Sequence, residues 1–182
     1  MNLWHDVSKG ENFPEVFNCI IETPKGSQNK YEIHKETGLI ALDRANYSSA
    51  GYPFEYGFIP QTLWDDGDAI DVILLTTFPL GQVGVMVEAR PVALMEMMDS
   101  GESDYKIICV PTSDKRFEDT QDLADLNKHN LKEFKHFFET LKMLKSDDPN
   151  KYKVEVLGYK GKAEAMEAMK RSVELYNQKF AK

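Results

Sequence analysis

Three carboxylates lie within six residues, in the hexapeptide Asp66-Gly67-Asp68-Ala69-Ile70-Asp71, and the apolar run 72–75 follows directly. Like charges crowded at the start of a core strand repel one another unless a cation neutralises them. Carboxylate oxygens are hard ligands, which suit magnesium before calcium or manganese. The hexapeptide therefore predicts a site for a divalent metal ion.

A second acidic turn, residues 98–104, precedes another strand-like run at 105–110. On an extended strand Asp104 and Lys106 share one face, because successive side chains alternate. Acidic turns are common and often only structural. Here, however, two separate turns each place carboxylates at the start of a strand. This repetition predicts that both turns lie at one end of a sheet.

Other polar candidates lie on predicted strands and beside an aromatic segment. Alternation puts Lys30 and Glu32 on one face, a pattern that by itself favours a solvent-facing strand. Arg44 precedes the tyrosine-rich segment 47–57, and its planar guanidinium suits phosphate. The tyrosines either seal a loop against the core or give hydroxyls to a site. Acids, bases and tyrosines together indicate metal-assisted hydrolysis of a phosphoanhydride, with water as the nucleophile.

Length and composition limit the class of protein. We predict a single domain over residues 1–182, with 42% hydrophobic residues and a net charge of −8. The acidic balance disfavours a nucleic-acid binder, and no apolar run approaches the roughly 20 residues of a membrane span. Cys19 and Cys109 lie in apolar runs, as buried free thiols do. The start of the chain lacks signal-peptide features, so we expect a cytoplasmic protein.

The elements that position these residues change character along the chain. Short strand-like runs separated by turn residues come first, and two amphipathic helices follow. The predicted strands are 16–22, 28–34, 38–42, 70–76, 83–97, 105–110 and 152–159. The predicted helical stripes are Leu131, Phe134, Phe138, Leu141 and Leu144, then Met166, Met169, Val173, Tyr176 and Phe180. The short strands indicate a small barrel or sandwich, and a closed antiparallel barrel with the helices packed outside it accommodates both parts of the chain.

The residues resemble the family I soluble inorganic pyrophosphatases in their short prokaryotic form. The signature Asp-Gly-Asp-x-hydrophobic-Asp-hydrophobic is matched at 66–72. The other matches, in order, are Ile21-Glu22-Thr23-Pro24, Lys30-Tyr31-Glu32, Asp43-Arg44, Tyr52-Pro53, Tyr56-Gly57, Met98-Asp99, Asp104-Tyr105-Lys106, Val110-Pro111, His136-Phe137-Phe138-Glu139 and Lys142. The resemblance covers nearly the whole chain. It implies a five-stranded OB-like closed barrel with two C-terminal helices, a homohexamer, and magnesium-dependent cleavage of pyrophosphate into two orthophosphates.

The resemblance also implies roles for individual residues. Implied ligands of several Mg²⁺ ions are Asp66, Asp71, Asp99, Asp104, Glu22 and Glu32. Asp68 would be the general base for a metal-activated water, with the Tyr56 hydroxyl beside it. The implied phosphate-binding groups are Lys30, Arg44 and Lys142, and those that line the site are Lys106 and Tyr52.

Two residues depart from the family pattern. Ala69 stands where the signature usually has proline or glutamate, which loosens that turn without removing a ligand. Leu141 stands where many relatives have a tyrosine that contacts a phosphate. Either Leu141 faces the core, as its helical stripe indicates, or a contact worth about 1.5–3 kcal/mol is missing.

Three other functions stay open on the sequence alone. An OB-type barrel could bind single-stranded nucleic acid on the aromatics near Tyr52, although few Lys or Arg residues lie beside them. A hydrolase of the same fold could act on a nucleotide or a short polyphosphate. A structural module could use the acids to bind calcium.

Overall fold

The computed structural model describes residues 1–180, so residues 181 and 182 of the predicted domain lie outside the described residues. Within residues 1–180 the strands are β1 Phe17–Thr23, β2 Asn29–Ile33, β3 Ile40–Ala45, β4 Glu55–Phe58, β5 Asp71–Leu74, β6 Val85–Asp99, β7 Glu102–Ser103, β8 Lys106–Pro111 and β9 Val154–Lys160. The α-helices are α1 Lys128–Leu141 and α2 Lys162–Phe180. None of the described helices is long and apolar enough to cross a membrane.

Five strands close into a ring through backbone hydrogen bonds. Around the ring, β1 pairs with β4, β4 with β5, β5 with β8, β8 with β6, and β6 with β1. Among the described strands, only β5 and β8 pair in parallel, so the expectation of a fully antiparallel barrel is wrong at this pair. β2 and β3 form a separate hairpin, while β9 pairs along β6. The prediction of a mainly β fold, with a five-stranded ring and two C-terminal helices, is confirmed.

Alternation along β5 divides its side chains between two buried clusters. Val72 and Leu74 join a cluster that includes residues of β1, β6, β8 and α2. Ile73 joins a second cluster, which contains the apolar face of α1. Asp71 has the same parity as Ile73, so the strand directs its carboxylate to the α1 side of the ring. The polar site lies on that side.

Strand β4 runs very close to β1 at Gly57. A Cβ atom at this position would lie 1.9 Å from the carbonyl oxygen of Ile20, so only glycine permits this approach. The segment 47–57 was interpreted as an aromatic loop, and β4 at its end was missed. Four residues that include a glycine show too little periodicity to predict a strand.

The helical stripes are correct in place but not in every residue. Leu144 is 69% exposed, because α1 ends at Leu141 and a 3-10 turn follows. The buried residues of α2 are Ala165, Ala168, Met169 and Ser172, so the buried face combines Met169 of the predicted stripe with three small residues. Cys19 and Cys109 are buried and free, as predicted.

Candidate active site

A cavity of about 270 Å³ lies where the acidic hexapeptide meets the β2–β3 hairpin. Its charged lining consists of seven carboxylates and two lysines: Glu22, Glu32, Asp66, Asp68, Asp71, Asp99, Asp104, Lys30 and Lys35. The other lining residues are Trp4, Ile33, Tyr56, Phe58 and Ala69. The excess of negative charge in a concave, partly apolar site attracts cations. We call this the acidic cavity.

Parallel pairing of β5 with β8 brings the two acidic turns together. Asp71 is in register with Lys106, and Asp104 precedes Lys106 by two residues. Parallel neighbours begin at the same edge of a sheet, so the carboxylates at their starts are close in space. The two turns therefore meet at one end of the ring, as the sequence predicted.

Lys106 joins these two turns from within the protein. Its Nζ lies 2.6 Å from Asp71 Oδ2 and also contacts Asp104, and the residue is only 1% exposed. Burial acts to lower the pKa of Lys106, but the two carboxylates raise it. Tyr56 donates its hydroxyl to Asp71, and burial raises the pKa of Tyr56 well above its ordinary value. Both groups therefore stay protonated at neutral pH.

The cationic side chains near the acidic cavity are too few to neutralise its carboxylates. Burial and the charge of Asp104 raise the pKa of Asp66 to about 7. Burial also raises the pKa of Asp71. Burial and the charge of Asp71 raise the pKa of Glu22, whose Oε1 accepts a 2.5 Å hydrogen bond from the Ile33 amide. An added cation would stabilise the ionised form of each acid.

Lysines contact several of the remaining carboxylates. Lys30 contacts Glu32, and Lys142 contacts Asp99. Burial acts to raise the pKa of Asp99, but the hydrogen bond and charge of Lys142 lower it. Among residues 1–180 no three His, Cys, Asp or Glu side chains form a ready-made metal cluster. The donor set still fits magnesium, which keeps several waters and takes only one or two carboxylates directly.

A smaller cavity of about 40 Å³ adjoins the acidic one. The two share Lys30, Tyr56, Asp99 and Asp104. The remaining lining residues are Arg44, Tyr52, Met97, Phe138, Leu141, Lys142 and Val154. This basic cavity therefore places three cationic side chains beside the carboxylates. Such a pair of cavities suits a polyanion whose oxygens are shared between metal ions and basic groups.

Arg44 has an unsatisfied donor at the basic cavity. Its Nε is buried and has no hydrogen-bond partner among the described residues, while a terminal nitrogen contacts Asp43. Arg44 also lies opposite Lys30 in the β2–β3 register, and like charges in that position repel. A buried donor without an acceptor is costly, so an anionic oxygen from a ligand would stabilise this arrangement.

Leu141 is buried at the end of α1 and packs into the cluster on that side of the ring. It also contributes to the apolar wall of the basic cavity, next to Lys142. The structure therefore supports the interpretation that Leu141 faces the core. Ala69 is buried as well and lines the acidic cavity.

Twelve of the thirteen predicted site residues line one cavity or both, and Lys106 reaches them through Asp71 and Asp104. Sequence reasoning assigned no role to Lys35, which lines the acidic cavity. Lys35 lies just past the predicted strand 28–34, with parity opposite to Lys30, so no local pattern predicts its position.

The aromatic platform of the nucleic-acid alternative is not available to bases. Tyr52, Phe54 and Tyr56 are all buried within the cluster next to α1. Bases stack on exposed aromatic faces, and these faces pack against each other and against phenylalanines of α1. The structure therefore favours the hydrolytic interpretation.

Known proteins with similar sequences and structures share one description. A family model described as Inorganic pyrophosphatase matches residues 19–177. The chain is 42% identical over 184 residues to an inorganic pyrophosphatase of Haloferax volcanii, with 100% of this chain and 99% of the relative covered. It is similar, with a TM-score of 0.91 and 39% identity, to the crystal structure of the Thermus thermophilus inorganic pyrophosphatase, covering 97% of this chain and 99% of that one. A soluble inorganic pyrophosphatase of Oryza sativa subsp. japonica is 43% identical over 173 residues, which cover 95% of this chain and 78% of the relative.

Proposed function

Because the chain belongs to the inorganic pyrophosphatase family of hydrolases, we propose that it cleaves pyrophosphate into two orthophosphates with magnesium as its cofactor. The observation that carries the proposal is the junction of an acidic and a basic cavity that share four side chains. Pyrophosphate is a compact polyanion, which needs cationic groups on its outer oxygens and metal ions to offset the remaining charge.

The acids of the site would hold several magnesium ions. The proposed ligands are Asp66, Asp71, Asp99, Asp104, Glu22 and Glu32. Bound magnesium would offset charge on the phosphates and lower the pKa of a coordinated water. The raised pKa of Asp66, about 7, supports this assignment, because it reflects burial first and then the negative charge of Asp104, and a bound cation would offset both.

The protein side chains would orient the substrate and handle the proton. Lys30, Arg44 and Lys142 bind phosphate oxygens and offset charge on the leaving phosphate. Burial raises the pKa of Tyr52 to about 12, so its hydroxyl stays neutral beside them. Asp68 is about half exposed at the rim of the acidic cavity and accepts the proton of the attacking water.

Water would attack directly, without a covalent intermediate. Neither cavity is lined by a serine or a cysteine among the described residues. Lys106 and Tyr56 act on the carboxylates: they hold Asp71 in place through an ammonium and a hydroxyl.

One assay tests the proposal, namely release of orthophosphate from pyrophosphate with Mg²⁺, with EDTA and with Ca²⁺. We expect release only with Mg²⁺, and no release with Mg²⁺ would refute the proposal. Asp68→Asn should keep Mg²⁺ binding but lose at least about 100-fold in kcat. Glu102→Gln is the control, because Glu102 is an acid of the second turn, 98–104, that lines neither cavity. Triphosphate and nucleotides in the same assay test the other phosphoanhydrides.

We also propose a homohexamer in the cytoplasm. The resemblance supports the hexamer, and exposed apolar side chains such as Phe78 and Met86 are consistent with a buried interface. The free, buried cysteines support a reducing compartment. Light scattering tests the assembly, with six copies of the 20.8 kDa chain as the expected mass and a monomeric mass as the contrary result.

A further inference from the structure

Lys35 lies in the turn 34–39, which joins β2 to β3, and its ammonium contacts the carboxylate of Asp68. The two side chains are 57% and 54% exposed. An ion pair this exposed usually contributes little to folding stability. Its importance therefore depends on how the turn is held and on the role of Asp68.

The turn 34–39 rests on the N-terminal segment, residues 2–6. The side-chain amide of Asn2 donates a 3.1 Å hydrogen bond to the carbonyl oxygen of Lys35. At Gly38, a Cβ atom would lie 2.6 Å from the Asn2 Cα, so the two backbones are in direct contact. Within the turn, the Gly38 amide donates to the His34 carbonyl at 2.7 Å. The backbone of Lys35 is therefore held from two sides.

The N-terminal segment is itself anchored. Trp4 is buried and donates its Nε1 hydrogen to the carbonyl oxygen of Thr62 at 2.8 Å, while the Gln61 amide donates to the Trp4 carbonyl at 2.8 Å. His5 stacks on Trp4 with ring centroids 4.7 Å apart. The Nδ1 of His5 lies 2.7 Å from the hydroxyl of Tyr176 in α2. The segment is thus fixed to the loop before the acidic hexapeptide and to the last helix.

The same loop also fixes the segment that carries Asp68. The hydroxyl of Thr62 accepts a 3.1 Å hydrogen bond from the amide of Ile70. The segments that carry Lys35 and Asp68 are therefore both tied to the loop at residues 61–62, although the two residues are far apart in sequence. The contact between them follows from this shared anchoring.

We propose that Lys35, held by the N-terminal segment, is a positioning residue for Asp68, and this inference rests on the proposed role of Asp68 as general base. The ammonium orients the carboxylate at the rim of the acidic cavity toward the attacking water. Lys35 lines the acidic cavity and not the basic one, so it acts on the base rather than on the phosphates. The N-terminal segment is then part of the active site.

The test compares Lys35→Met and Lys35→Arg in the full chain, each alone and combined with Asp68→Asn. Lys35→Met should lower kcat about three- to tenfold, with KM for pyrophosphate and the melting temperature unchanged, since misplacing one reacting group slows the chemical step. Lys35→Arg should keep at least about half of kcat, because it retains the charge. With Asn at position 68, Lys35→Met should change kcat less than about twofold.

Asn2→Ala tests the anchoring, and Asn18→Ala is its matched control. Both asparagines donate an amide hydrogen to a backbone carbonyl, but Asn18 bonds to Ser8, away from the turn 34–39. Asn2→Ala should lower kcat in the same direction as Lys35→Met, and Asn18→Ala should not. Equal kcat for the two asparagine variants would refute the role of the N-terminal segment.

Each outcome that differs from these expectations leads to a different conclusion. An unchanged kcat in Lys35→Met, while Asp68→Asn is inactive, overturns this inference and leaves the proposed function intact. A raised KM with normal kcat assigns Lys35 to substrate binding and also overturns it. An equal loss with Asn at position 68 shows that Lys35 does not act through Asp68. Full activity of Asp68→Asn overturns the general-base assignment and this inference together.

Discussion

Lys106→Met should destabilise the protein strongly without metal and much less with it. The ammonium of Lys106 is the only lysine or arginine group within ion-pair distance of Asp71 and Asp104 among the described residues. The methionine keeps most of the side-chain volume but none of the charge. The two carboxylates would then repel each other at the start of neighbouring strands.

The expected magnitude follows from the burial of the three groups. Removing one partner of a buried ion pair costs about 3–5 kcal/mol. The side chains of Asp71 and Asp104 are 21% and 15% exposed, so water screens part of the repulsion and the lower value, about 3 kcal/mol, applies. For a chain of this size, each kcal/mol shifts the melting temperature by about 2–4 °C. The melting temperature should therefore fall by about 6–12 °C in EDTA.

Excess Mg²⁺ should reduce the difference in melting temperature between wild type and Lys106→Met to less than half of its value in EDTA. A divalent cation bound by the same carboxylates replaces the missing positive charge, and a ligand that binds only the folded state stabilises it. The measurement is thermal unfolding of wild type and variant, each in EDTA and in excess Mg²⁺. The double variant Asp104→Asn with Lys106→Met should recover part of the loss in EDTA, because one of the repelling charges is gone.

Lys115→Met is the matched control. Lys115 is 86% exposed and lies 3.5 Å from Glu118, so its removal should change the stability by less than about 0.5 kcal/mol. Equal destabilisation of Lys106→Met with and without Mg²⁺ would show that the lost charge is not the cause. A double variant no more stable than Lys106→Met would show the same, since the loss would then come from packing.

Three further variants test other parts of the structure. Gly57→Ala should lose about 3 kcal/mol or more in urea unfolding, because its Cβ would lie 1.9 Å from the Ile20 carbonyl oxygen. Gly158→Ala, with nothing within 4 Å of the added Cβ, should lose less than about 1 kcal/mol, and equal losses would contradict the steric argument. Arg44→Lys should raise KM for pyrophosphate about tenfold at unchanged stability, because an ammonium cannot replace the buried Nε donor. An unaltered KM would remove Arg44 from phosphate binding. Leu141→Tyr should lower stability by about 1–3 kcal/mol through overpacking and leave KM unchanged, whereas a lower KM would indicate that the leucine had removed a phosphate contact.

The alternating runs and the helical stripes predicted most of the fold, and the acidic hexapeptide predicted a metal site. The roles of other site residues, such as Glu22, Lys30 and Glu32, were implied only by the family resemblance. Carboxylates at the start of an apolar strand are unusual enough to indicate a metal site without any structure. The turn 98–104 shows the same pattern, and the family resemblance places the acids of both turns in one site. Apart from β4 and the two-residue β7, the predicted strands agree with the structure to within a few residues, because period-two runs bounded by glycine, proline and aspartate are a strong signal.

What the sequence did not predict depends on contacts between distant segments. The parallel register of Asp71 with Lys106, which puts one lysine between two acidic turns, is set by ring closure. Lys35 has the wrong strand parity for the site and lines the cavity from the turn 34–39, whose backbone contacts Asn2. Beside Met169, the buried face of α2 is made of small residues, such as Ala165 and Ala168, whose role depends on close packing rather than on hydrophobicity.

The alternation along β5 also has a consequence for folding errors. A shift of β5 by one residue would exchange its two faces and move the Asp71 carboxylate into the cluster that now holds Val72 and Leu74. Burying a charge there without a partner would cost several kcal/mol. The residue that the chemistry requires therefore also penalises the nearest mispaired sheet. A substitution such as Asp71→Val would remove that penalty along with the carboxylate, so inactive variants at this position should also be prone to misfolding.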